Sequence, residues 1–313
     1  MATMAALEEI HHLRQLRPPT EIDKRDGNKV WRTDFVGRGG KTEDASDSPQ
    51  GFLIESSPNR LLRTHFHEVD QFQVIVAGDG TLAKHDLAYG GVHFARAFTP
   101  YGPIINGKGG LSFLTLRARR DPEYAQFIPE CKARLVETKR KPWQITRLPE
   151  FVSTTDGCTV KPLSDMNDAN GLSAVACTLA PGASYVAPDP AGTDGQYIVV
   201  LGGSVVHDSR NCRGLAVGFV HRSEAAYRIQ AGAEGARVLV LSFPKATAEV
   251  SMPTSSRSNA RVMNCMLCSA VYDESLGSPH DGIPAGTRWE DVPESWTCPD
   301  CGATKAEFEE AAA

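Results

Sequence analysis

The sequence predicts a mainly β chain, a duplicated barrel or sandwich followed by a small metal-holding module. Three observations predict it. Residues 51–244 are filled by short runs rich in β-branched and aromatic residues, punctuated by Gly, Pro, Asn and Asp. Landmarks recur in one order in two parts of that stretch. Four of the eight cysteines form two Cys-x-x-Cys pairs near the C-terminal end.

Composition bounds the rest. A chain of 313 residues is more than one compact core holds, so several units are expected. Its 41% hydrophobic and 23% charged residues suit a globular protein. A net charge of −5 without a long basic run points away from nucleic acid. No apolar stretch approaches the roughly 18 residues of a membrane span. The first residues carry acids and histidines where a signal peptide needs an apolar run, so a cytoplasmic location is expected.

Residues 1–50 read as an N-terminal extension: a short helix, a break at Pro18 and Pro19, then a Gly-, Asp- and Ser-rich loop. Residues 51–120 form a first β half, with a strand at Phe72–Val76. Residues 121–170 connect, and the mixed pattern from Asp121 to Trp143 predicts a helix. Residues 171–244 form a second half, with strands at Tyr197–Leu201 and Val238–Leu241. The repeat aligns Gly78 with Gly202, His85 with His207 and Tyr101 with Tyr227. It also aligns Gly91-Val92-His93 with Phe219-Val220-His221, and Gly107-x-x-Gly110 with Gly232-x-x-Gly235. Residues 245–260 are small and polar, as in a linker. From Arg261 onward ten acids face three bases, so residues 261–313 are an acidic module on a nearly neutral body.

The cysteines divide accordingly. Cys131, Cys158, Cys177 and Cys212 are isolated and read as buried or free thiols. Cys265 and Cys268, then Cys298 and Cys301 after 29 intervening residues, can close a tetrahedral all-sulfur site. Such a site suits iron or zinc, and the spacing does not choose between them.

The residues between the pairs do choose. Tyr272-Asp273, Asp281-Gly282-Ile283-Pro284-Ala285-Gly286-Thr287, Trp289-Glu290-Asp291-Val292-Pro293, Trp296 and Phe308 resemble rubredoxin over residues 263–308. The resemblance implies one iron on the four cysteines, one-electron transfer, and a partner such as a rubredoxin reductase. An acidic surface suits docking to a basic reductase. Three positions depart from the pattern: Met263 and Ala270 stand where aromatics are usual, and Ser269 where glycine is.

Thr64-His65-Phe66-His67, then Gln71 and Gly78, resemble the first motif of the cupins. That resemblance implies a double-stranded β-helix, here a bicupin-like jelly roll. Histidines one residue apart share a strand face. The family's usual glutamate is replaced by Gln71, and Tyr101 stands near the last expected histidine. His65, His67 and Gln71 are therefore the candidates for a second metal, iron or another divalent ion, with Tyr101 able to join as a phenolate, and His65, His67 and Tyr101 are the candidate catalytic residues. His85 and His93 are further inward-reaching candidates. The matching places near Asp189, Ala191 and Gly195 hold no such set, so the second half is expected to be metal-free.

The expected function is rubredoxin-type electron transfer supplying a fused non-heme iron oxidoreductase or oxygenase that acts on a small organic substrate. The rival is an electron carrier or redox sensor whose body binds a ligand or partner without metal chemistry. A homodimer is compatible with either. No phosphate loop, dinucleotide fingerprint or nucleophile elbow is present.

Overall fold

A computed structural model describes residues 4, 6–16, 18–23, 29–37, 48–122, 125–136, 143–151, 156–245, 261–265, 271–278, 281–298 and 303–310, with backbone alone at 23, 264, 265 and 271. Strands dominate, and every strand pairing among the described residues is antiparallel.

Each half is organised around one long bulged hairpin. In the first, Gln71–Leu82 pairs with Ile104–Arg117; in the second, Gln196–His207 pairs with Arg228–Ser242. Register shifts interrupt both ladders beside glycines. Gly78 has φ +74, and a Cβ there would lie 2.1 Å from the Gly110 carbonyl oxygen. Gly203 has φ +65, and a Cβ there would lie 2.2 Å from the Gly235 carbonyl oxygen. Only glycine satisfies both the positive φ and that backbone approach.

These landmarks correct the repeat register. Gln71 and Gln196, Gly78 and Gly203, and Gly110 and Gly235 keep one constant spacing, as do strands His85–Ala88 and Arg210–Arg213. The pairing of Gly107-x-x-Gly110 with Gly232-x-x-Gly235 keeps that spacing. The other expected equivalences, of Gly78 with Gly202, His85 with His207, His93 with His221 and Tyr101 with Tyr227, miss it by one to three positions. Short motifs tolerate such slips, whereas a ladder of hydrogen bonds does not.

Alternation explains the near-continuous apolar runs. Phe72 and Val74 face a core shared between the halves, while Ile75 faces the first barrel's interior. Tyr197 and Val199 meet them in the shared core, while Ile198 and Val200 fill the second barrel. Both faces of these strands are buried, so both parities are apolar.

The described residues among the first fifty are woven into both halves rather than appended. The helix is Ile10–Leu16, and Ile10 and Leu13 pack in the shared core. Strand Leu7–Glu9 pairs with Ala216–Val220 of the second half, while Val30–Val36 pairs with Gln50–Ser56 of the first. The connecting segment is divided likewise: Trp143–Arg147 joins the first sheet and Cys158–Asn167 the second. No α-helix forms among the described residues from Asp121 to Trp143, where a two-residue strand and a 3-10 turn stand instead. Of residues 245–260, read as a linker, all but Lys245 lie outside the described residues.

Phe72 is fully buried, its ring 4.8 Å from Phe94 and 5.0 Å from Phe243 of the other half. Phe72→Ala should cost about 3–5 kcal/mol, read as a lowered urea midpoint for the body with the C-terminal module unchanged.

Candidate functional site

The matched positions of the two barrels differ where chemistry is concentrated. At Gln73, His93, Thr115 and Arg117 the second barrel has Ile198, Gly218, Val240 and Ser242. Counting back from the matched glutamines, Pro190 and Gly192 stand where the first barrel has His65 and His67. The first barrel keeps a polar end beside its apolar core; the second is filled by apolar side chains, Val and Ile prominent among them.

His65, His67, Gln71 and Tyr101 do come together. Strand His65–Phe66 bridges to Tyr101, and the His65 and Tyr101 rings lie 4.5 Å apart. The His65 and His67 rings are 5.3 Å apart. His65 Nδ1 donates to the Arg63 carbonyl at 2.7 Å, and His67 Nδ1 donates to Asp121 Oδ2 at 2.5 Å. Each bond fixes the tautomer and leaves the lone pair on Nε2. Burial, with help from the neighbouring His67, brings the His65 pKa down to about 3. Burial and Arg117 also lower His67, although Asp121 opposes them. Both rings are neutral near pH 7.

Sequence reasoning did not single out Arg117 and Asp121, which organise the site. Both are buried. Arg117 Nε and Nη2 donate to Gln71 Oε1 at 3.1 and 3.0 Å, and Nη1 donates to Gln50 Oε1 at 3.3 Å. Nη1 lies 3.2 Å from Asp121 Oδ2, closing an ion pair. Gln71 Nε2 in turn donates to the Tyr101 hydroxyl. Burial would raise the Asp121 pKa, but Arg117, His67 and the Glu68 backbone N–H outweigh it and hold the carboxyl low. The signal that finds Arg117 is the repeat in its correct register, where its counterpart is Ser242.

His93 sits behind Tyr101, its ring 4.8 Å away. Its Nδ1 bonds Gln73 Oε1 at 2.8 Å, and its Nε2 is buried with no hydrogen-bond partner. Burial lowers its pKa to about 3. His85 stacks edge-on against Trp143 rather than joining His65 and His67.

The donors are a divided fit to a metal ion. Neutral imidazoles anchored through Nδ1 suit one. The oxygens do not: Gln71 Oε1 already accepts two guanidinium bonds, and Asp121 is shared between His67 and Arg117. Among the described residues, no three His, Cys, Asp or Glu side chains are placed to hold an ion.

These groups line a cavity of about 460 Å³, with Phe52, Ile54 and Phe113 on its apolar side. Tyr272, Trp296 and Phe308 of the C-terminal module line it too. In that module a three-stranded sheet carries an aromatic cluster: Tyr272, Trp289, Trp296 and Phe308, with ring centres 5.0 to 5.8 Å apart. Met263 is buried in this cluster, so a thioether fills the place where an aromatic was expected. Cys265 ends strand Val262–Cys265 opposite Phe308. Cys298 is 2% exposed, at the base of a loop closed by the Thr297–Thr304 bridge and by its own N–H to the Ala303 carbonyl at 2.7 Å. Cys268, Ser269, Ala270 and Cys301 lie outside the described residues.

The rubredoxin family pattern matches residues 262–308, a stretch holding both cysteine pairs. Rubredoxin-2 of Pseudomonas aeruginosa is 59% identical over 49 residues, which is 16% of this chain and 89% of that protein. Through this domain the chain belongs to the rubredoxin family. The rubredoxin of Acinetobacter baylyi is 58% identical over 45 residues, covering 14% of this chain and 83% of its own. A rubredoxin domain brings iron and one-electron transfer.

The body matches solved structures in fold. A candidate dioxygenase of Nostoc punctiforme superposes with a TM-score of 0.53 at 11% identity, over 76% of this chain and 82% of that one. A mutant of the oxalate decarboxylase of Bacillus subtilis gives 0.51 at 12% identity, over 78% of each chain. The body therefore has a cupin-like fold, joined to the rubredoxin domain. No helix among the described residues is long and apolar enough to cross a membrane.

Burial of ionisable groups makes two effects measurable. Asp121→Asn leaves Arg117 uncompensated and should cost the body about 3–5 kcal/mol, read from its denaturation midpoint. Buried neutral His93 binds no proton above about pH 3, whereas the unfolded chain does below 6.5. The unfolded state then holds more protons, so stability rises as pH rises across that window, and is lost as pH drops, by about 1.4 kcal/mol per unit. His93→Gln should flatten a plot of urea stability against pH by that amount; an unchanged slope would show His93 titrating normally.

Proposed function

We propose that the chain is a rubredoxin-type electron carrier whose first barrel holds a small organic molecule beside the rubredoxin domain. The iron is held by Cys265, Cys268, Cys298 and Cys301, and a reductase of the rubredoxin-reducing type supplies the electron. The observation that carries this reading is the shared cavity. His65, His67, Gln71 and Tyr101 line it from the barrel, and Tyr272, Trp296 and Phe308 line it from the rubredoxin domain. A molecule in that cavity lies against the aromatic cluster that packs with Cys298. Covalent linkage keeps donor and cavity at high effective concentration.

The rubredoxin domain's aromatic cluster packs around Cys298 and would keep water from the iron, and hydrogen bonds to thiolates tune such a one-electron couple. In the barrel, Gln71 and Arg117 fix the Tyr101 hydroxyl, while the neutral His65 and His67 offer ring nitrogens to a ligand. Burial raises the Tyr101 pKa, so it remains a protonated hydroxyl.

A second reading makes the barrel an iron-dependent oxidoreductase or oxygenase, with His65 and His67 as ligands. The two neutral rings, each anchored through Nδ1, favour it. Iron and zinc per chain, measured with the visible spectrum on protein grown with ample iron, separate the two. One iron with thiolate-to-iron bands bleached by dithionite is the expected result. Two irons per chain would establish the second reading, and zinc without those bands would overturn electron transfer altogether.

A further inference from the structure

The residues at the family's metal-binding positions are already organised around a positive charge. Gln71, at the position the family usually gives to glutamate, turns its oxygen to Arg117 and receives two N–H bonds from it. Gln50 accepts a third, and Asp121 supplies the counter-charge. Arg117 Nη2 stands 3.1 Å from His67 Nδ1, a contact between two donors, because that nitrogen gives its proton to Asp121.

The guanidinium is held in place from several sides. It ends the long strand Ile104–Arg117, and its backbone carbonyl accepts a bond from the Tyr197 hydroxyl of the second half at 3.0 Å. Tyr197 is itself fully buried. Arg117 thus has little freedom to swing away from His67.

The second barrel shows that the glutamine does not need a metal. Gln196 begins the matching strand, is fully buried, and donates to the Pro188 carbonyl at 2.9 Å. The matched places beside it, Pro190 and Gly192, hold no ligand side chain. The same residue fills the same structural place in both halves.

We infer that Arg117 is the resident cation of the first barrel and keeps the His65 and His67 pair from taking up a divalent metal ion. The inference deepens the metal-free reading proposed above and rests on it. Its physical basis is twofold. A fixed positive charge beside His67 repels a dication strongly in a water-poor interior. The same charge consumes the oxygen donors that a hard ion needs. Neutralising position 117 frees Gln71 Oε1 while Asp121 still anchors His67 through Nδ1, so a set of two imidazole Nε2 atoms and an amide oxygen becomes available.

The test is manganese uptake by full-length protein whose cysteine site is already filled with iron. Manganese prefers nitrogen and oxygen to thiolate, so it reports on the barrel alone. The loss of the free manganese signal in electron paramagnetic resonance measures binding. Wild type should leave millimolar manganese free. Arg117→Leu should bind one ion per chain, about tenfold or more tighter than wild type, and adding His67→Ala should abolish that binding. Arg117→Gln serves the same purpose if the leucine variant does not fold. If neither neutral variant binds manganese, the role given to Arg117 falls while the metal-free reading stands. If wild type binds one manganese ion per chain, both fall together.

Discussion

The ion pair between Arg117 and Asp121 is the constraint around which the first barrel is arranged. Two opposite charges are buried in the first barrel, and their burial is tolerable because the polar groups around them turn towards the pair. Gln50, Gln71, His67 and the Glu68 backbone all turn towards that pair. Tyr101 is held through Gln71, and His65 through its bridge to Tyr101. The second half contributes through the Tyr197 hydroxyl on the Arg117 carbonyl. The cavity's polar end is one connected network, and its geometry depends on both halves being present.

Duplication accounts for the frame and divergence for the site. Both barrels use the same glycine-bulged hairpin, with Gly78 against Gly110 and Gly203 against Gly235. Both offer one strand face to the shared core. The inner faces then differ: Gln73, Thr115 and Arg117 in the first barrel are Ile198, Val240 and Ser242 in the second. A barrel packed with Val and Ile stabilises the assembly through apolar burial. The other can then retain a buried polar interior.

The rubredoxin domain solves a different problem. A domain this small has too little apolar surface for a large core. Its aromatic cluster of Tyr272, Trp289, Trp296 and Phe308 packs edge-on and tilted around the base of the cysteine loop. Tyr272, Trp296 and Phe308 also wall the barrel's cavity. One set of rings thus serves both as core and as the surface nearest the neighbouring chemistry.

Sequence alone determined the features that local chemistry dictates. The Cys-x-x-Cys pairs with their intervening aromatics specify a rubredoxin, because spacing and residue type are what the metal demands. Alternating and doubly apolar runs specified the strands, and His65-Phe66-His67 brought two imidazoles together, with ring centres 5.3 Å apart. Tertiary structure decided what depends on partners far apart in the chain. Register slips of one to three residues hid the true repeat, since only ladder pairing and the paired glycines at 78 and 110 set it. The strand at Val30–Val36 read as a loop-rich extension because its partner, Gln50–Ser56, lies beyond a long Gly- and Ser-rich stretch. Arg117 and Asp121 belong to no sequence motif. Their importance comes from burial beside Gln71 and His67, and burial is a property of the folded chain.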